Sequence, residues 1–526
     1  MPNPSQVNPS QANPSKSKGR VLYIGASYYN NWYLSRALRD LGWEADVLTY
    51  SGESAELYLH GHDFSLKDYT TWDNKYPEQL FRILYNSLRT HSHVVAGAVR
   101  GRQFNPALRL FGTLVKLLFT KWPMQVAEVL KVILDDRQSV NDRPQTKGIN
   151  YRIGVLRRVK HRILRSLFEP LITEALRGSK QPELLKNMLA IFIQSMRQTP
   201  LPELTPILNV LDRYDILHFT GVNNLRYFYF INPFLFDSMP IGWDLQLLRR
   251  LGKKIVYSNT GCLDGVAQSS FRTWPPEPVC DICRWRDEPT VCSDERNLAW
   301  GALRNSLTDY QIILGGNRKD HNDDPQVHEV PEFYCLDPTV WDPDLPIPPK
   351  YLLSYPEGTV KIYHAVGNFE LRTLSNNSNI KCTHIYVPLI KGLKREGYKV
   401  EFIFYSNIPN KEIRFYQMQA DIIVDMLTFG WFGATAREGL MLGKPVVCFL
   451  RPEWLDSMRR EIPEYIDELP IISATPYTVH DVLTDLIEHP EKRCEIGRRS
   501  RDFAKKWHSA EAAAKRIDSI YGSLLS

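Results

Sequence analysis

Hydrophobic and polar positions along this chain fall into two alternating registers. The run RVLYI at 20–24 is short and almost continuously apolar, the pattern of a strand covered on both faces. Leu34, Ala37, Leu38 and Leu41 then recur at helical spacing, Gly42 closes that helix, and EADVLTY at 44–50 resumes as strand. Strand, helix and strand in this order make a βαβ unit and predict a parallel sheet. The alternation returns in DRYDILHFTG at 212–221, in a helix and strand within 240–262, and in NLAWGALRNSLTDYQIILGG at 297–316. The proline-rich piece WDPDLPIPPKYLLSYPEG at 341–358 reads as an interdomain linker. A second series follows. VKIYHAVGN at 360–368 is its first strand and loop, a helix marked by Ile385, Leu389 and Leu393 ends at Gly397, and another buried strand comes next.

The densest stretch is 417–450, QMQADIIVDMLTFGWFGATAREGLMLGKPVVCFL. It predicts a strand over 422–424, a loop with Gly430 and Gly433, a helix from about Ala434, a Gly443 cap and a buried strand over 445–450. Glycines let backbone amides approach a ligand closely, and a helix N-terminus offers unpaired N–H groups and a positive dipole end to an anion such as a diphosphate. Glu438 is expected in the first turn of this helix, where the dipole favours an acid whether or not it binds anything.

Between about 80 and 208 the strand and helix alternation is interrupted by helical, basic sequence. YRIGVLRRVKHRILR at 151–165 holds six Arg or Lys and no acid, and ALRLFGTLVKLLFTKW at 107–122 is also amphipathic and basic. Such helices suit an anionic membrane surface or an acidic acceptor, or pack as an insertion on the domain and on one another.

Composition bounds the rest. A chain of 526 residues exceeds one hydrophobic core and favours two domains. Its net charge of +6 is small for this length and does not point to nucleic acid. No run of about 18 apolar residues occurs, and the Pro-, Ser- and Asn-rich start at 1–18 reads as a disordered tail without the apolar core of a signal peptide. Of the eight cysteines, Cys335, Cys382, Cys448 and Cys494 are scattered singly, which suits a reducing cytosol. Cys262, Cys280, Cys283 and Cys292 are grouped with one close pair, the count and reach of a structural zinc site; a redox disulfide or free thiols are the alternatives. The first loop, GASYYN, lacks the GxGxxG fingerprint, which speaks against a nicotinamide dehydrogenase.

The order of parts in 417–450 resembles the donor-binding segment of GT-B glycosyltransferases, most specifically in Gly433, Thr435 and the run EGLMLGKPVV at 438–447. The resemblance covers roughly 20–42, 212–264 and 360–525, and implies an α/β fold of two Rossmann-like domains facing a cleft. The N-terminal domain would span 19–345, with the helical insertion at about 80–208 and the cysteine module at 262–292, and the nucleotide-sugar domain 346–526. In such bacterial enzymes a histidine-bearing strand end is followed by a lysine, glycine and threonine that open a helix; Lys381 and Thr383 match, and Cys382 stands for the glycine. The resemblance implies that Lys381, with Arg372 as its partner, neutralises the donor diphosphate, that Gly433 and Thr435 offer amides to phosphate, and that Glu438 holds the ribose. His364 and Gly367 would adjoin the donor. Gly430 stands where many retaining members carry a glutamate that touches the donor sugar. Ser27, Tyr28 and Asn30 in the first loop and Asp264 after a glycine would face the acceptor side. His218, near the carboxyl end of its strand where ligands bind in open α/β sheets, is a candidate catalytic residue at the cleft, with packing as the alternative. The family's last helix commonly crosses back onto the first domain.

The implied function is transfer of a sugar from a nucleotide-activated donor to a glycan, lipid or protein acceptor, in the cytoplasm, with no metal in catalysis and with retention of configuration as an open possibility. The basic helices would allow peripheral contact with the inner face of a membrane. A sugar-nucleotide epimerase of the same architecture and a non-catalytic sugar-nucleotide or glycan-binding protein are the alternatives.

Overall fold

The computed structural model describes residues 17–24, 29–48, 214–220, 249, 252–259, 261–262, 265–289, 291–313, 318–367, 369–406 and 408–526. The basic helical stretch expected over 80–208 lies outside the described residues, as do Ser27, Tyr28, Asp264 and most of the N-terminal tail.

Two parallel sheets organise the chain. The first holds β1 (Arg20–Ile24), β2 (Glu44–Leu48), β3 (Ile216–Thr220), β4 (Lys254–Ser258), β5 (Tyr310–Ile313) and β6 (Val327–Glu329), in the spatial order β2-β1-β3-β4-β5-β6. Around it lie the helices α1 (Asn30–Asp40), α2 (Gln268–Arg272) and α3 (Asp294–Leu307). β1, β3 and β4 are buried along nearly their whole length, which is why their sequences run apolar instead of alternating. Sequence patterning did not reveal β6, whose three residues, Val, His and Glu, carry too short a signal.

The second sheet has the order β10-β9-β7-β8, built from β7 (Val360–Val366), β8 (Val400–Ser406), β9 (Ile422–Val424) and β10 (Val446–Val447). Its connections run through α4 (Phe369–Arg372), α5 (Thr383–Arg395), α6 (Asn410–Met418) and α7 (Ala434–Met441). The strand expected over 445–450 is confined to the two residues of β10. α8 (Pro452–Glu461), α9 (Pro463–Glu468), α10 (Val479–Glu488), α11 (Pro490–His508) and α12 (Ala510–Leu525) close the chain.

The last helix crosses to the first sheet. Tyr521 of α12 is fully buried and bonds through its hydroxyl to Tyr23 of β1 (2.9 Å) and His218 of β3 (2.6 Å). Asp518 accepts from the Trp43 indole at 2.7 Å and from Lys18 at 2.9 Å. The proline-rich piece at 341–358 is packed: Trp341 is wholly buried, and its indole donates to Tyr33 of α1 at 3.3 Å.

Each sheet reverses its winding once. In the first, β2 and β3 lie on opposite sides of β1; in the second, β8 and β9 lie on opposite sides of β7. Loops leaving the carboxyl ends of strands diverge at such points and leave a crevice for ligands.

Candidate functional site

At the reversal in the second sheet, β7 and β9 present their carboxyl ends side by side, paired through Ile362 with Ile422 and Tyr363 with Ile423. Asp425 follows β9 directly, and its side chain is only 1% exposed. Its carboxylate accepts the Lys381 ammonium in a short ion pair and the Gly433 backbone N–H at 3.1 Å. Lys381 reaches this point from the start of α5, where its own N–H is held by the Asn379 side chain at 3.0 Å. Gly433 is the N-cap residue of α7 and has no side chain of its own to cap it, so Asp425 is the side chain that accepts there. The first-turn amides of Ala434 and Thr435 have no acceptor within the helix, and both residues are part-exposed. A lysine, the open first-turn amides of a helix and one buried carboxylate thus meet at one spot.

His364, on β7, is fully buried behind this spot. Its Nδ1 lies 3.4 Å from the Val424 carbonyl, which can only accept, so Nδ1 carries the proton and Nε2 accepts from the Thr383 hydroxyl at 2.9 Å. Burial lowers its pKa to about 4, so the ring is neutral near pH 7 and pins the start of α5 instead of donating a proton to a ligand. Gly367 is exposed at the turn after β7, and a side chain there would meet open space. Arg372 is part-exposed on the four-residue α4, and no contact joins it to Lys381.

Cys382 precedes α5 with φ of +62°, the left-handed region that glycine occupies at little cost. Its buried Sγ compensates by accepting the Leu427 N–H at 3.4 Å.

Glu438 is the fifth residue of α7, so it falls in the second turn and not the first. One carboxylate oxygen accepts from the Tyr29 hydroxyl at 2.8 Å and the other from Gln417 Nε2 at 2.7 Å. Burial pushes its pKa up, against the opposing pull of these two donors. Tyr29 precedes α1 in the loop that leaves β1, so this bond ties the carboxyl edge of the first sheet to a helix of the second. Asn30, beside it, is buried.

His218 stands apart from this group. Its ring is stacked on Phe333 with centroids 5.0 Å apart and bonded to Tyr521, and burial lowers its pKa to about 3. It is a packing residue between β3 and α12.

Gly430 has φ of +81°, and a Cβ there would lie 2.7 Å from Arg451 Cβ. The Arg451 guanidinium in turn lies 3.3 Å from the centroid of the Trp274 ring. Phe271 and Trp274 both contact Phe429, so the segment that follows Cys262 braces the glycine loop. Asp425, Tyr29, Gln417 and Trp274 were not singled out in the sequence. Asp425 alone had a readable signal there, an acid at the carboxyl end of an apolar strand.

No family model matches the sequence, and no curated protein matches it. Solved structures do resemble it. Sucrose-phosphate synthase from Thermosynechococcus elongatus is 14% identical at a TM-score of 0.36, over 65% of this chain and 79% of that one. HepE of Anabaena, in complex with UDP and glucose, is 11% identical at 0.34, over 66% and 83%. The catalytic domain of starch synthase IV from Arabidopsis thaliana, bound to ADP and acarbose, is 10% identical at 0.37, over 66% and 78%. These neighbours are GT-B glycosyltransferases.

Proposed function

We propose that this protein is a glycosyltransferase that binds the diphosphate of a nucleotide-sugar donor at the N-terminus of α7 and moves the sugar to an acceptor held on the first-sheet side. The observation that carries it is the meeting of Lys381 with the N-terminus of α7 at the reversal point of the second sheet. In this reading Asp425 keeps the ammonium folded over the helix end, and a diphosphate competes for it. Fixed positive charge of this kind stabilises a departing diphosphate without reorganisation, so the mechanism we propose needs no metal ion. Glu438 takes the ribose hydroxyls: each of its oxygens already accepts one hydrogen bond and keeps a second lone-pair direction. Arg372 serves as the second cation, swinging in from its part-exposed position.

A thermal-shift series with nucleoside diphosphates and sugar nucleotides tests this. A ligand at about 100 times its dissociation constant should add roughly 2.7 kcal/mol to the stability of the domain that binds it. Wild type should respond to one nucleotide class and Lys381→Ala should not. An equal response from both proteins would remove Lys381 from the site, and no response from wild type would remove the donor reading.

A further inference from the structure

Four cysteines that lie far apart along 262–292 share one neighbourhood beside α2. Cys280 sits in the single turn Val279–Ile282, and the N–H of Cys283 donates to its carbonyl at 3.1 Å. The chain then folds back so that the Trp285 N–H points at Cys283 Sγ, 3.4 Å away. Cys292 Sγ receives two amide donors, Gln268 Nε2 at 3.6 Å and the buried Asn297 Nδ2 at 3.5 Å. Cys280 Sγ donates to the Gln268 carbonyl at 3.8 Å, so one residue of α2 joins Cys280 to Cys292. Cys262 packs against the same apolar cluster as Cys280.

Three N–H groups are aimed at the sulfurs of Cys283 and Cys292, and sulfur is a weak acceptor as a thiol and a good one as a thiolate. A bound dication would supply that charge state, because it deprotonates its sulfur ligands.

We propose that Cys262, Cys280, Cys283 and Cys292 are the four ligands of one structural zinc ion. Among the described residues no three side chains of ligating type are yet closed on a common centre, so binding draws the sulfurs inward to the zinc–sulfur distance of about 2.3 Å, with loss of their protons. The metal then fixes the segment whose Phe271 and Trp274 brace Phe429 and Arg451, and so supports the loop that carries Gly430 and Gly433.

The test is the metal content of the full chain, purified without a metal-affinity column and desalted, read by mass spectrometry. We expect one zinc per chain, released by a thiol-blocking mercurial, and a tetrahedral thiolate spectrum when cobalt replaces it. Cys283→Ser should lose the zinc, and the exposed Cys494→Ser should keep it. Gln268→Ala retains all four ligands and should weaken zinc about 10–100-fold in competition with a chelating dye. Wild type free of zinc after growth in zinc-supplemented medium, iron in its place, or a mapped disulfide within the four would each overturn the assignment. If the serine variant does not fold, the wild-type content and the cobalt spectrum still decide.

Discussion

Gly430 shows how much one position can hold. Its positive φ excludes most side chains at a cost of about 1–2 kcal/mol, and Arg451 Cβ blocks the space a side chain would take. Gly358 has a similar φ of +76° but opens onto nothing within 4 Å. Gly430→Ala should therefore lower stability more than Gly358→Ala, by about 1–3 kcal/mol of overpacking beyond the shared backbone strain. Urea midpoints of the two variants measure the difference, and equal midpoints would show that Arg451 yields freely. The site residues divide in the same way. That Gly433, Thr435 and Glu438 belong near one another was legible from the strand, glycine loop and helix order, while Lys381 joined them only through the family resemblance. That Lys381 is held by Asp425, and Glu438 by Tyr29 and Gln417, was not, because each of those bonds except that of Gln417 joins residues far apart in sequence.

At the scale of elements, three buried histidines pin helices and strands together while neutral. His218 links β3 to α12, His364 links β7 to α5, and His508 at the end of α11 bonds to Tyr465 of α9 at 3.0 Å. Burial lowers their pKa values to about 3, 4 and 3. Each folded value lies below the unfolded value of about 6.5, so the unfolded chain binds protons that the folded chain refuses. Stability contributed by these rings is complete above about pH 6.5 and is lost as pH falls toward 4 for His364 and toward 3 for the others, with a limiting slope of ~1.4 kcal/mol per pH unit for each ring. Denaturation midpoints taken between about pH 7 and pH 5 should drop, and His508→Gln should flatten the dependence. A midpoint constant across that window would mean the rings are solvated.

For the whole molecule, α12 is the clasp between the end of the chain and its beginning. Tyr521 fills the space between β1, β3 and Trp43, and its removal leaves the Tyr23 hydroxyl and the His218 Nδ1 without this partner. Tyr521→Ala should cost about 3–5 kcal/mol, and Tyr521→Phe, which keeps the ring and loses the hydroxyl, about 1–3 kcal/mol. Calorimetry should show the loss in the transition of the first-sheet domain. An undiminished transition in Tyr521→Ala would mean that α12 is not needed there. No helix among the described residues is long and apolar enough to cross a membrane.

The sequence by itself determined the kind and order of the elements: short apolar runs, helical periodicity and glycine stops are local signals, and they marked β1 to β5 and β7 to β10 as strands alternating with helices. Local signals end where partners are distant. Only the tertiary structure decided that His218 packs under α12, that Asp425 neutralises Lys381, that the Cys262 segment braces the loop of Gly430, and that Tyr29 joins the two sheets at Glu438. The physical reason is that strand and helix formation follow from the side chains of neighbouring residues, whereas each of these contacts depends on where two separately folded stretches of backbone come to rest.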